Sequence, residues 1–186
     1  MISAQEARRI LQTAELLCSA AVVSEAVSRL AGEVTAVLAQ RHPLLLSVMG
    51  GAVVFTGNLL PQLRFPLDFD YVHVRRYGHA IAGGDLEWIA APHEAIAGRV
   101  VLIVDDILDE GVTLAAIKQR VLELGATSCY TAVFADKDIG KPKPIAADFV
   151  GLRLPNRYVF GFGMDVRGAW RNLPEVYALR ETADPE

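Results

Sequence analysis

Cysteine is scarce in this sequence. Cys18 and Cys129 are the only 2 in 186 residues. They stand far apart, outside any CxxC or Cys/His cluster, so a structural zinc site of the usual spacing is excluded. Two isolated thiols suit a reducing compartment. Excess positive charge is also missing: 18 Lys and Arg face 22 Asp and Glu, a formal charge of −4. Sequence-independent nucleic-acid binding rests on many Lys and Arg contacts, so no nucleic-acid partner is expected. His42, His73, His79 and His93 show no metal-ligand spacing and read as structural or solvated. Neither the Gly-x-x-x-x-Gly-Lys run of a Walker nucleotide site nor the Gly-x-Gly-x-x-Gly of a dinucleotide fold is present. Met1 to Arg9 lacks the basic-then-apolar order of a secretory signal, and a cytoplasmic location is expected. Pro43 to Leu63 carries no charge and is long enough to cross a bilayer. Pro43, Gly50, Gly51, Gly57, Asn58 and Pro61 interrupt it, so it predicts strand, turn and short helix rather than a membrane span.

What remains is ordinary globular material, 52% hydrophobic and 22% charged. The length suits one domain with a substantial core, residues 1–186. Ser3 and Glu6 have capping-box spacing and open a first helix. Ser24 is read as the cap of a second, in which Val27, Leu30, Ala31, Val34, Val37 and Leu38 recur at helical spacing until Pro43 closes the segment. Leu44 to Met49 predicts a strand buried on both faces, ending at Gly50-Gly51. A short helix over Val53 to Leu60 and a β-rich stretch over Leu67 to Arg75 follow, then a glycine-rich mobile loop from Tyr77 to Asp85. Val100 to Val104 is the clearest strand. Beyond it, Leu114, Ile117, Val121 and Leu124 form a helical stripe stopped by Gly125. Cys129 to Phe134, Phe149 to Leu154 and Tyr158 to Phe160 read as further strands, with a charged loop from Asp136 to Pro144. Strands alternating with helices imply an α/β fold with a mainly parallel sheet.

The most informative run is Val100-Val-Leu-Ile-Val-Asp-Asp-Ile-Leu-Asp-Glu-Gly-Val-Thr-Leu114. Its apolar strand brings Asp105, Asp106 and Asp109 to the carboxyl edge of the sheet, where ligands of open α/β sheets bind. The loop then turns through Gly111 into a helix, so its N–H groups, the Thr113 hydroxyl and the positive helix end form an anion site. Carboxylates repel phosphate directly. They bind sugar hydroxyls, or hold a Mg²⁺ that bridges to diphosphate. The plain alternative is an acidic solvated loop after a core strand.

This run resembles the phosphoribosyl pyrophosphate motif of type I phosphoribosyltransferases. Val48-Met-Gly-Gly-Ala-Val-Val-Phe55, Arg76-Tyr-Gly78, Ala135-Asp-Lys137, and Asp148-Phe-Val-Gly151 continuing through Tyr158-Val-Phe-Gly-Phe-Gly-Met-Asp165 to Arg171-Asn-Leu-Pro174 narrow it to the hypoxanthine-guanine branch. The resemblance implies a mainly parallel twisted sheet flanked by helices. A small hood is expected from the N-terminal helix and roughly residues 150–180. It implies transfer of the phosphoribosyl group from phosphoribosyl pyrophosphate to N9 of hypoxanthine or guanine, releasing pyrophosphate, in a dimer or tetramer. Asp105 and Asp106 would contact ribose hydroxyls, directly or through Mg²⁺, and Asp109 would be the base facing purine N7. The segment Asp109, Glu110, Gly111, Val112, Thr113 would hold the 5′-phosphate, with the Glu110 side chain turned to solvent. Gly50 and Gly51 would offer backbone donors to pyrophosphate through a strained or cis peptide, and Arg171 would reach the same group. Lys137 would donate to purine O6, Tyr158 would stack on the base, Val159 would touch its edge, and Asp165 would hold a second Mg²⁺. Arg76 and Tyr77 would lie on the closing loop. The chain departs from the usual pattern at Asp105, Gly50, Arg76 and Glu110, where the family commonly has Glu, Lys, Ser, and Thr or Ser.

Each residue has a plainer role open to it. Lys137 reads alone as a surface lysine, Tyr158 as a core aromatic, Asp165 as a loop aspartate and Tyr77 as an exposed turn residue. Arg171 could cover Trp170 or pair with Glu175. A rival function, a ligand-sensing regulator built on the same fold, calls for a basic surface or an appended nucleic-acid domain, and neither is visible. A transferase preferring xanthine or adenine stays open within the enzyme class. The chemistry of Lys137 favours a 6-oxo base: an ammonium donates hydrogen bonds and accepts none, so it has nothing to offer a 6-amino group.

Overall fold

The computed structural model describes residues 2–76 and 86–180. In chain order the elements are α1 (Ala4–Thr13), β1 (Glu15–Cys18), α2 (Ala20–Leu38), β2 (Leu44–Met49), α3 (Ala52–Leu59), β3 (Asp68–Arg76), β4 (Leu86–Ala90), β5 (Val100–Leu108), α4 (Val112–Glu123), β6 (Ser128–Lys137), β7 (Phe149–Leu154), β8 (Val159–Phe160) and β9 (Val176–Ala178). Six strands form the main sheet in the order β4-β3-β2-β5-β6-β7. All its pairs are parallel except β3–β4. A second sheet, β1-β9-β8, is antiparallel and comes from the two ends of the chain.

Both faces of the main sheet are covered, which is why β2 reads as an unbroken apolar run. Leu45, Leu102 and Val104 pack beneath the stripe Val23, Val27, Leu30, Val34 and Leu38 of α2 and Phe55 of α3. Leu44, Leu46, Val101 and Ile103 face Leu114, Ile117 and Val121 of α4. Leu30 and Val34 are wholly buried, and such side chains contribute about 1.5–3 kcal/mol each. Truncating Leu30 to alanine would add a cavity penalty, for a total of roughly 2–5 kcal/mol. No described helix is long and apolar enough to cross a membrane, and Pro43 to Leu63 resolves into β2, α3 and a 3₁₀ turn.

Several boundaries differ from the sequence reading. The second helix starts one turn earlier, and Ser19, not Ser24, caps it by accepting from Val22 N at 3.4 Å. The apolar stripe begins at Val23, which a cap at Ser24 would have left outside the helix. Strand β5 runs on to Leu108 and β6 to Lys137, because ladder pairing such as Ile107 with Ala135 continues past the runs 100–104 and 129–134 read as strands. Asp105, Asp106 and Lys137 therefore stand on strands rather than on loops. Strands β1, β4 and β9 are absent from the sequence reading. They are short, and β1 has an exposed pattern, so they owe their existence to partners distant in sequence.

Candidate active site

The parallel strands end together, and a cleft of about 400 Å³ opens at their carboxyl ends. Asp105, Asp106, Asp109, Glu110, Gly111 and Thr113 line it from β5 and the start of α4, and Gly50 and Gly51 from the end of β2. Asp165 and Arg171 close it from the segment before β9. Gly111 has φ +80, the left-handed conformation that lets the chain reverse directly into α4. Val112 and Thr113 thus form the first helical turn, at the positive helix end, which suits an anion. The Glu110 side chain is exposed, with Oε1 3.6 Å from Lys141 Nζ, so only its backbone is offered to the turn.

Close packing explains the glycines. The Met49–Gly50 peptide is cis. A Cβ on Gly51 would fall inside the Asp106 carboxylate, and a Cβ on Gly163, where φ is +101, would fall onto the Gly51 carbonyl. The end of β2, the acidic end of β5 and the 161–171 segment are in this way stacked backbone to backbone. Asp106 N donates to Asp105 Oδ1 at 3.0 Å and Ile107 N to Asp106 Oδ1 at 2.8 Å. Burial, reinforced by the Asp106 charge, pushes the Asp105 carboxyl well above the usual range. Burial also raises Asp106, although hydrogen bonds from Asp105 and Ile107 and the nearby Arg171 charge pull the other way.

A smaller cleft of about 230 Å³ adjoins the first and is lined by Asp106, Ile107, Asp109, Lys137, Tyr158, Val159, Met164 and Asp165. Lys137 Nζ donates to Asp109 Oδ2 at 2.8 Å and is largely buried, so it is not a free surface lysine. Tyr158 is 52% exposed and donates to the Asp165 carbonyl at 3.3 Å, so it is not a core aromatic. Arg171 pairs with Asp165 at 2.5 Å and donates to Gly163 O at 2.6 Å; it does not pair with Glu175. Asp165 Oδ2 also accepts from Gly168 N at 2.6 Å.

The structure thus brings together all the expected residues except Arg76 and Tyr77. Arg76 ends β3, where only its backbone is described. Tyr77 and His79 lie outside the described residues. Sequence reasoning missed His73, which lines the larger cleft opposite Met49 in the β2–β3 register. A histidine within the β-rich stretch Leu67 to Arg75 was the available signal. It also missed Lys143, described below.

A glycine-tight acidic edge at the carboxyl ends of a mainly parallel sheet is a ligand site of the α/β kind, and comparison with known proteins gives its class. Residues 19–167 match the family model described as phosphoribosyl transferase domain. A hypoxanthine-guanine phosphoribosyltransferase of Bacillus subtilis is 30% identical over 167 residues, covering 89% of this chain and 93% of that protein. A hypoxanthine-guanine-xanthine enzyme of Tritrichomonas foetus is 32% identical over 161 residues, covering 86% and 88%. The bifunctional protein TilS/HprT of Listeria innocua is 33% identical over 167 residues, but the match takes in 89% of this chain and only 26% of that longer protein. Among solved structures, a hypoxanthine-guanine-xanthine phosphoribosyltransferase superposes with a TM-score of 0.81 at 31% identity, covering 90% of this chain and 97% of that one. The chain belongs to the phosphoribosyltransferase family, in its hypoxanthine-guanine branch.

Proposed function

We propose that this protein is a purine-salvage transferase that moves the 5-phosphoribosyl group from phosphoribosyl pyrophosphate to N9 of hypoxanthine or guanine, giving IMP or GMP and pyrophosphate. The observation that carries the reading is the Lys137–Asp109 pair in a cleft adjoining the acidic end of β5. A 6-oxopurine presents an acceptor at O6 and, in the N7-H form, a proton at N7. An ammonium and a carboxylate beside each other complement those edges, whereas a 6-amino group would face the ammonium with hydrogens.

Asp105 and Asp106 bind the ribose diol, and the backbone from Asp109 to Thr113 holds the 5′-phosphate. Asp109 takes or shares the N7 proton as N9 attacks C1, which contributes roughly 10²–10⁴ in rate for such groups. Arg171 leaves Asp165 for the pyrophosphate and offsets the charge that builds there. Gly50 and Gly51 add backbone donors to that group. Tyr158 covers one face of the base, and Val159 meets its edge.

Divalent metal fits the donor set. Among the described residues no group of three ligating side chains forms a ready cage. Asp105 with Asp106 and the separate Asp165 instead suit Mg²⁺, which binds through a few carboxylates, waters and substrate phosphates. When bound, Mg²⁺ would neutralise the leaving diphosphate. Burial first, and the neighbouring Asp106 charge second, raise the Asp105 carboxyl, and a bound cation would offset both.

The chain works in this reading as one unit, residues 1–186, with β1, β8 and β9 forming the hood. Exposed Phe69, Tyr71 and Ile89 on β3 and β4 support pairing of copies into a dimer or tetramer. A cytoplasmic site of action completes the picture. Pyrophosphate release with phosphoribosyl pyrophosphate, Mg²⁺ and each of hypoxanthine, guanine, xanthine and adenine tests it. Release with the first two bases and none with adenine is expected; release with adenine alone would overturn the assignment of Lys137.

A further inference from the structure

We infer, on the basis of the function just proposed, that Lys143 is a positioning residue that sets the geometry of the Asp109–Lys137 pair. Lys143 lies between Pro142 and Pro144 in the loop after β6. Its side chain is only 12% exposed. Nζ donates to Leu108 O at 2.7 Å, Lys137 O at 2.6 Å and Asp136 Oδ1 at 2.6 Å. An ammonium has three protons, and these acceptors use all of them. Lys143 therefore has none left for a ligand, although it sits behind the base site.

The acceptors give the residue its meaning. Leu108 O belongs to the peptide that leads into Asp109, and Lys137 O to Lys137 itself. Leu108 and Asp136 are opposite each other at the last rung of the β5–β6 ladder. One ammonium thus ties together the two strand ends from which the carboxylate and the lysine project, beyond the point where backbone pairing holds them. The same loop also touches the phosphate turn. A Cβ on Gly111 would come within 3.2 Å of Ile145 and 3.5 Å of Pro144. Asp136 supplies the neutralising charge for Lys143; its other partner, Arg153 at 3.6 Å, is largely exposed.

Removing the ammonium takes a donor from two carbonyls, leaves Asp136 with only the exposed Arg153 among the described residues, and loosens the tie between the strand ends. Misplacement of reacting groups by about 1 Å can cost on the order of 10²-fold in rate. The sugar site leans on this clamp less, because Asp105 and Asp106 lie earlier on β5, inside its pairing with β6, and the phosphate turn meets the loop at Gly111 and through the exposed Glu110–Lys141 pair.

The test is steady-state kinetics of Lys143→Met and Asp136→Asn, each checked for folding by circular dichroism. For Lys143→Met, kcat/KM for hypoxanthine is expected to fall roughly tenfold to 10²-fold, while KM for phosphoribosyl pyrophosphate stays within about twofold. Lys143→Arg should recover part of the loss. Asp136→Asn, which keeps the lysine but weakens its anchor, should show a smaller loss in the same direction, and it decides the matter if Lys143→Met does not fold. Folded variants with base kinetics like the wild type, or with both substrates affected equally, would overturn the inference alone. A wild-type protein that forms no nucleotide would overturn the reading of function and this inference with it.

Discussion

Two sets of carboxylates stand on the same sheet and live opposite lives. Asp70, on β3, is buried, and its oxygens accept from His93 N at 2.5 Å, Tyr71 N at 2.7 Å and Glu94 N at 2.9 Å. Burial alone would raise its carboxyl, but the N–H groups of Glu94, Tyr71 and His93 outweigh it and hold the group below the usual range. Asp105 and Asp106, on β5, each accept the next N–H along the chain, and Arg171 lies near Asp106, but burial outweighs these and both are raised. A carboxylate surrounded by donors organises the protein; here it pins the 91–97 loop against β3. A carboxylate pair with few donors of its own can accept from a ligand's hydroxyls or hold a cation.

The comparison can be broken in several places. The largest effect is expected at Asp109, a third kind of carboxylate, paired with the largely buried ammonium of Lys137. Asp109→Asn should lower turnover by roughly 10²–10⁴ with little change in Tm, measured by nucleotide formation and calorimetry. Next comes Asp106→Asn. It should weaken phosphoribosyl pyrophosphate binding in the presence of Mg²⁺ by roughly 10–100-fold, the range seen when groups around a metal are lost. It should also raise the Tm of the ligand-free protein by about 2–4 °C. A fall in Tm would place Asp106 with Asp70. Asp70→Ala should do the reverse, costing roughly 1–3 kcal/mol in urea unfolding through stranded N–H donors, with turnover near wild type.

The smallest effect is in pH. Asp70 has a lowered folded value, so its contribution is present above the unfolded value near ~3.9 and is lost as pH falls through the folded one. The raised Asp105 and Asp106 act oppositely. The folded chain holds their protons more tightly, so ligand-free stability declines as pH climbs from about 4 towards their raised values. Saturating phosphoribosyl pyrophosphate with Mg²⁺ should flatten that decline and leave the acid-side loss from Asp70 in place. Urea midpoints with and without the ligand across pH separate the two.

Local patterning carried much of the architecture. Leu44–Met49 and Phe149–Leu154 are strands with the expected limits: the first, buried on both faces, announces itself by composition, and the second, at the sheet edge, by its apolar residues around a single exposed arginine. Gly111 and Gly125 were legible as turns for the same local reason, with φ +80 and +90. Residue types at the ligand edge made Asp105, Asp106 and Asp109 readable, and the resemblance supplied Lys137, Tyr158 and Arg171. Lys143 was not readable. In sequence it is one charge in a loop of charges, and its importance comes from carbonyls at Leu108 and Lys137 that meet only after β5 and β6 pair. Strands β1 and β9 were hidden likewise, because each is defined by a partner from the other end of the chain.

The central claim is that Asp109 and Lys137 form a site for a 6-oxopurine beside an activated phosphoribosyl group. Its most direct measurement is transfer of labelled hypoxanthine into nucleotide, with phosphoribosyl pyrophosphate and Mg²⁺, by wild type and Asp109→Asn side by side. The account predicts rapid labelling of IMP by the wild type and a loss of roughly 10²-fold or more in the variant. Equal rates in the two proteins, or unlabelled nucleotide pools from a folded wild type at saturating substrates, would contradict it.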